Sequence, residues 1–413
     1  MTFREWQELS AEAAADEVLR RAQERLPGAQ RQAVIASLGS KEDLVARFEA
    51  ARPGTLLRGV PYLLKDLFDA AGHPTRAGSS FLPDVRPSGS TDGAFVQDLT
   101  ENGAVLAGKS HLFEFAWGLT GENEHYGACA HPQHPGRTSG GSSSGSAAAV
   151  AAGVVPLGIA TDTAGSIRVP SAFCGLFGFR GVPRDRWISD AVPLAPSFDT
   201  AGWLTATADD MHIALGALVG LRSTGRMMKG IFLEPPGLEP EVSRGFVAAA
   251  SRLARPADAA ASSELLHAFN GLEDLYPVLG GRESLAVHAA WSAVARERYG
   301  ALMRARLEDA ARVTDDQVSA ALERQRSLQT LWTKFFLGHD FLVLPATPFA
   351  ALAHSDCTPA NRRRLLALTA PATLAALPVL TLPFALESGL TSALQIIVNH
   401  PQSPAIAWTL EQG

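Results

Sequence analysis

The chain has 413 residues, 46% of them hydrophobic and 19% charged, a balance that describes a globular protein with a substantial core and excludes a disordered or fibrous one. A formal net charge of -6 gives no general attraction for a polyanion, so no nucleic-acid partner is expected. The three cysteines, Cys129, Cys174 and Cys357, stand far apart without a CxxC pair, which argues against a zinc knuckle or disulfide framework and suits a reducing, cytoplasmic compartment.

The polar, acidic segment 1–8 does not resemble a secretory signal. The longest apolar stretch, 147–160, is too short to span a bilayer, so no membrane association is expected. Residues 10–51 carry apolar positions at helical spacing, as at Leu44, Phe48 and Ala51, and read as helices that precede the core. Residues 60–64 form a short apolar run that ends in Lys65-Asp66, as a buried strand ends. A helix is predicted over 94–102 and the next buried strand over 104–107. This alternation argues for a mainly parallel sheet covered on both faces.

Segment 136–181 is dense in Gly and Ser, yet it contains an alanine helix (146–153) and a strand-like run (154–161), an order that a flexible linker would not show. Residues 211–337 read as mostly helical, with breaks at 235–240 and 256–263. Late core strands are predicted over 341–345, 379–382 and 393–398. No internal repeat is present, so one continuous domain is expected. In it 1–55 supplies N-terminal helices, 56–215 the core, 216–337 a mostly helical variable region, and 338–413 a segment that completes the sheet.

Three places carry candidate chemistry: Lys65, the run Gly140-Gly141-Ser142-Ser143-Ser144-Gly145-Ser146, and Thr161-Asp162-Thr163-Ala164-Gly165-Ser166-Ile167-Arg168-Val169-Pro170. Taken singly they read as a surface lysine, a helix cap and a turn. Together, their order and spacing resemble the amidase signature family. The stretch Leu57-Arg58-Gly59-Val60-Pro61 through Lys65-Asp66 to Gly78-Ser79-Ser80 resembles its lysine segment. Residues 136–181 resemble the signature itself, and Ser197-Phe198-Asp199-Thr200-Ala201-Gly202 resembles the segment that follows.

The resemblance implies Ser166 as acylated nucleophile, Ser142 as a bridging serine carried on a cis peptide after Gly141, and Lys65 as general base. It implies an oxyanion hole from the backbone N–H groups of Thr163, Ala164, Gly165 and Ser166. The implied fold is a single α/β domain, a mixed and mostly parallel twisted sheet between helical layers. The roles are chemically coherent. A serine hydroxyl needs a base within hydrogen-bond reach, and a lysine can serve when burial strips its proton. Ser142 then relays the proton, and fixed N–H donors meet the developing oxyanion. One departure stands out: Ala164 occupies a position where most members have glycine, which requires a backbone angle that alanine adopts without penalty.

Trp117, Ser143 and Tyr126 are candidate substrate contacts, and segment 122–127 a candidate entrance. Phe113, Phe115 and Trp117 furnish either an apolar pocket or core. Asp162 and Arg168 are expected to hold the serine loop, with a substrate-carboxylate clamp as the alternative role for Arg168. His125, His131 and His134 have no ligand spacing, so no metal is expected, and no cofactor either. Arg362-Arg363-Arg364 reads as the solvated face of a helix. The expected activity is hydrolysis of a small carboxamide, with faint similarity to indole-3-acetamide-type amidases. The alternatives are the catalytic A subunit of a tRNA-dependent amidotransferase and a catalytically silent docking module. A homodimer stays open, since no interface can be read from the chain.

Overall fold

The computed structural model describes residues 1–87, 89, 91–223 and 225–412. Its strands among the described residues are β1 (Ile35–Leu38), β2 (Pro61–Lys65), β3 (Val105–Ser110), β4 (Leu157–Thr161), β5 (Phe177–Arg180), β6 (Ala201–Thr205), β7 (Gly230–Phe232), β8 (Arg255–Pro256), β9 (Phe341–Pro345), β10 (Val379–Ala385) and β11 (Thr391–Ile397). They form one sheet in the order β1-β3-β2-β4-β6-β5-β10-β11-β9-β7-β8. β2 runs parallel to both β3 and β4, and β7 runs parallel to β8 and β9. The other junctions are antiparallel. The mixed sheet between helices is the expected architecture, although antiparallel junctions outnumber the parallel ones.

Every side chain of β2, β3, β4 and β9 is buried, which is possible only where both faces of the sheet are covered. Side-chain alternation sorts these residues into two cores. Leu63, Val105, Ala107, Ala160 and Leu204 pack with the N-terminal helices and the alanine helix Ser144–Ala151, while Tyr62, Leu64, Leu106, Leu157, Ile159 and Trp203 face the larger core on the other side. Segment 1–55 contributes the edge strand β1 as well as helices. No helix among the described residues is long and apolar enough to cross a membrane.

The parallel neighbours β2 and β4 end on the same edge of the sheet, at Lys65 and Thr161. Open α/β sheets bind ligands beyond the carboxyl ends of such strands. The helix Ser144–Ala151 is built of Ala, Gly, Ser and Val, all buried up to Val150, and small side chains let its backbone press against the sheet. Ser146 Oγ donates to the Ile159 carbonyl of β4 at 2.9 Å, which fixes the helix to the strand that carries Thr161.

Candidate active site

Lys65 closes β2 with its side chain wholly buried. Its Nζ lies 2.8 Å from Ser142 Oγ, 2.9 Å from Ser143 Oγ and 2.7 Å from Thr161 Oγ1. None of these partners is an acid. The adjacent Asp66 is paired with Lys109 at 2.6 Å, so its charge does not hold a proton on Lys65. Burial pushes the Lys65 amine down to about 7, against a smaller opposing pull from the charges of Asp162 and Asp199. An amine in that range is available in neutral form near neutral pH.

The three hydroxyls are not equivalent. Ser143 Oγ donates its proton to the Thr161 carbonyl at 3.1 Å, so it meets Lys65 only as an acceptor. Ser142 Oγ has no other hydrogen-bond partner among the described residues, which leaves its proton free to move. The chain reaches this point through a cis Gly141–Ser142 peptide. Gly141 is required by close approach: a Cβ there would fall 2.1 Å from the Thr120 carbonyl oxygen. Ser166 is drawn beside the pair through its backbone, its carbonyl accepting the Ser143 N–H at 3.3 Å.

The loop from Thr161 to Ser166 is wound around Asp162, which is fully buried. Asp162 Oδ1 accepts the Gly165 N–H at 2.7 Å and Oδ2 accepts the Ile167 N–H at 3.1 Å. Arg168 reaches both oxygens through Nε and Nη2 at 3.0 and 2.9 Å, and Arg180 Nη1 adds a bond at 2.9 Å. Burial alone would raise this carboxyl, but Arg168, Arg180 and the backbone donors outweigh it and hold the group well below the usual carboxylate range.

The expected oxyanion set narrows here, and of the two roles weighed for Arg168 its contacts fit the expected one, holding the loop. Gly165 N–H is engaged by Asp162, so the donors without a hydrogen-bond partner among the described residues are those of Thr163, Ala164 and Ser166. Arg168 is also bonded to the Thr369 carbonyl, Gln395 Oε1 and Thr373 Oγ1, so it holds the loop and is not free to clamp a substrate. The alanine at 164 is explained as well. Positive φ falls on Gly165 (131°), and Ala164 is not among the residues with positive φ.

Ser166 opens onto a narrow cleft walled by Trp117, Leu119, Thr163, Ala164, Leu194, Tyr276 and Arg362. Trp117 thus stands where a substrate contact was expected. Ser143 faces Lys65 instead, and Tyr126 stacks on His111 at 4.0 Å with its hydroxyl donating to the Ser79 carbonyl, so neither lines this cleft. Phe115 packs among His288, Trp291 and Tyr299. His125 Nε2 bonds Glu114 at 2.9 Å and His131 Nε2 meets the Phe173 carbonyl at 3.0 Å, which accounts for both rings as loop packing. The larger groove of about 810 Å³, bounded by Met228, Arg255 and Trp408, lies at the opposite end of the sheet and contains none of these residues.

Of the basic run, only Arg363 and Arg364 are on the exposed face. Arg363 pairs with Asp274, and Arg364 covers the Phe349 ring at 4.8 Å. Arg362 turns inward to the cleft, a residue that composition alone misses. Helical spacing carries the signal, because Arg362 shares a face with the buried Leu365, Leu366 and Thr369.

The sequence pattern of the family described as Amidase matches residues 17–242, more than half of the chain. The chain is 41% identical over 225 residues to an indoleacetamide hydrolase of Pseudomonas syringae pv. syringae, covering 51% of this chain and 49% of that protein. It is 41% identical over 185 residues to the A subunit of a glutamyl-tRNA(Gln) amidotransferase from Francisella tularensis subsp. novicida, covering 45% and 38%. The chain therefore spans about half the length, or less, of these curated relatives. A solved structure described as an amidase superimposes with a TM-score of 0.85 at 27% identity, over 100% of this chain and 98% of that one.

Proposed function

Because the chain belongs to the amidase signature family, we propose that it hydrolyses a small carboxamide to a carboxylic acid and ammonia or an amine, with Ser166 as nucleophile. The observation that carries this reading is the wholly buried Lys65 amine, 2.8 Å from a Ser142 hydroxyl that has no competing partner. Ser166 Oγ attacks the amide carbonyl while its proton passes through Ser142 to neutral Lys65. The oxyanion is received by the free N–H groups of Thr163, Ala164 and Ser166. The C–N bond breaks as the proton returns to the departing nitrogen, and water releases the acid from the acyl-Ser166 ester by the same relay. No metal or cofactor is needed for these steps.

The test is ammonia release by the purified protein from a panel of simple amides that includes glutamine, together with fluorophosphonate labelling mapped to Ser166. Absence of both turnover and labelling would leave a silent docking module and refute the proposal. The similarity to part of a tRNA-dependent amidotransferase favours one second reading. It requires activity restricted to glutamine and dependent on a partner, which the same panel distinguishes.

The lysine assignment fixes the pH profile. The base works only when neutral, so kcat/KM should climb as pH rises, about tenfold per unit, and level off above about 7. Lys65→Met should remove nearly all turnover and with it that inflection. Full activity of this variant at neutral pH is the result that sinks the relay. Ser142→Ala leaves Lys65 with two hydroxyl partners and the nucleophile in place. It should slow turnover by about 10²–10³-fold, a smaller loss than removal of the nucleophile, measured as kcat on the best amide of the panel.

A further inference from the structure

The narrow cleft at Ser166 shares two of its walls, Trp117 and Arg362, with an adjoining cavity of about 170 Å³. A second arginine, Arg306 on the helix Ala301–Ala311, lines that cavity too. Arg306 Nη1 and Arg362 Nε are buried with no hydrogen-bond partner among the described residues. The Arg306 guanidinium lies over the Phe113 ring at 4.9 Å, which orients it without neutralising it. No acid among the described residues lies within ion-pair distance of either guanidinium. Asp309, on the cavity rim, pairs with Arg312 at 2.8 Å, and Glu122, whose charge reaches Arg306 from a distance, has an Oε1 without a hydrogen-bond partner among the described residues.

This pair differs from Arg21, Arg168 and Arg180, the buried arginines among the described residues. Arg21 is bonded to Glu17, and Arg168 and Arg180 share Asp162. Burial, and at Arg306 the repulsion of Arg362 as well, pushes both guanidinium groups below their ordinary range. Two partly buried like charges, neither in an ion pair, are unfavourable in the folded chain alone. A planar anion supplies what they lack, since a carboxylate accepts two parallel N–H bonds from a guanidinium.

We propose that this cavity is a carboxylate subsite, and that the substrate is a short amide with a carboxylate at its far end, held by Arg362 and Arg306 while its amide carbonyl reaches Ser166. The inference rests on the hydrolytic role proposed above for Ser166. Arg362 borders both spaces, so the anion sits within a few bonds of the reacting carbonyl, as in the monoamide of a short dicarboxylic acid. A neutral aryl amide would place its ring against two unpaired charges and would be the poorer substrate.

The experiment compares succinamate with butyramide, a neutral amide of similar size, and titrates succinate by calorimetry, in the wild-type chain and in Arg362→Met and Arg306→Met. Succinamate is expected to exceed butyramide in kcat/KM by about 100-fold, and Arg362→Met to lower that ratio by about the same factor. Succinate should bind the wild type and lose that binding in Arg362→Met. Equal losses on both amides with the ratio unchanged would mark a purely structural arginine and overturn the subsite. So would hydrolysis of butyramide by a protein that does not bind succinate. Arginine-dependent succinate binding with no turnover of any amide would instead refute the hydrolytic reading and support the subsite.

Discussion

Ser166→Ala should abolish amide turnover, with kcat falling on the order of 10⁴-fold or more while the fold is unchanged. The size of the loss follows from what the substitution removes. The proposed chemistry forms a covalent bond to Ser166 Oγ, and no neighbouring hydroxyl can substitute, because Ser142 and Ser143 are both engaged with Lys65. What remains is the set of free N–H donors at Thr163, Ala164 and Ser166, which can still polarise a bound carbonyl and sustain a weak background rate. Stability should barely move. The Ser166 hydroxyl makes no side-chain hydrogen bond among the described residues, so its loss orphans no partner. Ammonia release and thermal unfolding measured on the same preparation separate the two effects. Turnover within about tenfold of the wild type would exclude Ser166 as the nucleophile, and a large fall in melting temperature would mean that the hydroxyl is structural.

The parts of this molecule that were legible in its sequence are those whose residue types are dictated locally. β2 and β9 can be read because a strand covered on both faces must be apolar throughout, and the predicted 341–345 coincides with β9. β5 and β6 escape the same reading because Gly178 and Gly202 interrupt them. A Cβ at those positions would lie 2.2 Å from Ser171 Oγ and 1.9 Å from the Phe179 carbonyl oxygen, so packing demands residues that strand propensity disfavours. These two strands supply antiparallel junctions in mid-sheet, which is why periodicity suggested a more parallel arrangement than the chain adopts. At the site, the candidate serines and lysine stand out through the company they keep in sequence. The partners of Lys65 do not. Thr161 is a neighbour only because β4 lies beside β2, and Ser143 turns toward the amine because of the path of the backbone after Gly141. The inward turn of Arg362 depends on helical phase within a basic run, and Tyr126 is taken from the site by its stack on His111.

The largest loss of stability is expected from Asp162→Ala. Asp162 sits one residue beyond β4 and receives three backbone N–H groups, from Gly165, Ile167 and Arg168, together with the guanidinium groups of Arg168 and Arg180. Both arginines are fully buried. Removal of the carboxylate leaves two like charges facing each other without a counter-ion, a change that costs about 3–5 kcal/mol in comparable buried pairs. Against a total stability of roughly 5–15 kcal/mol, that brings the chain close to unfolding at room temperature. The sign of the pH effect is fixed by the same contacts. The folded carboxyl is held below its unfolded value, so its contribution is fully present above the unfolded value of about 3.9 and is lost as pH falls toward the folded one. Asp162→Ala should therefore lower stability strongly at neutral pH and flatten its decline in acid. Turnover should fall as well, since the Gly165 N–H that Asp162 restrains lies between the proposed oxyanion donors. Urea unfolding of both proteins from pH 3 to 7 measures the effect. A variant within about 1 kcal/mol of the wild type at pH 7 would show that the two arginines find other partners, and that Asp162 is not the hub of the serine loop.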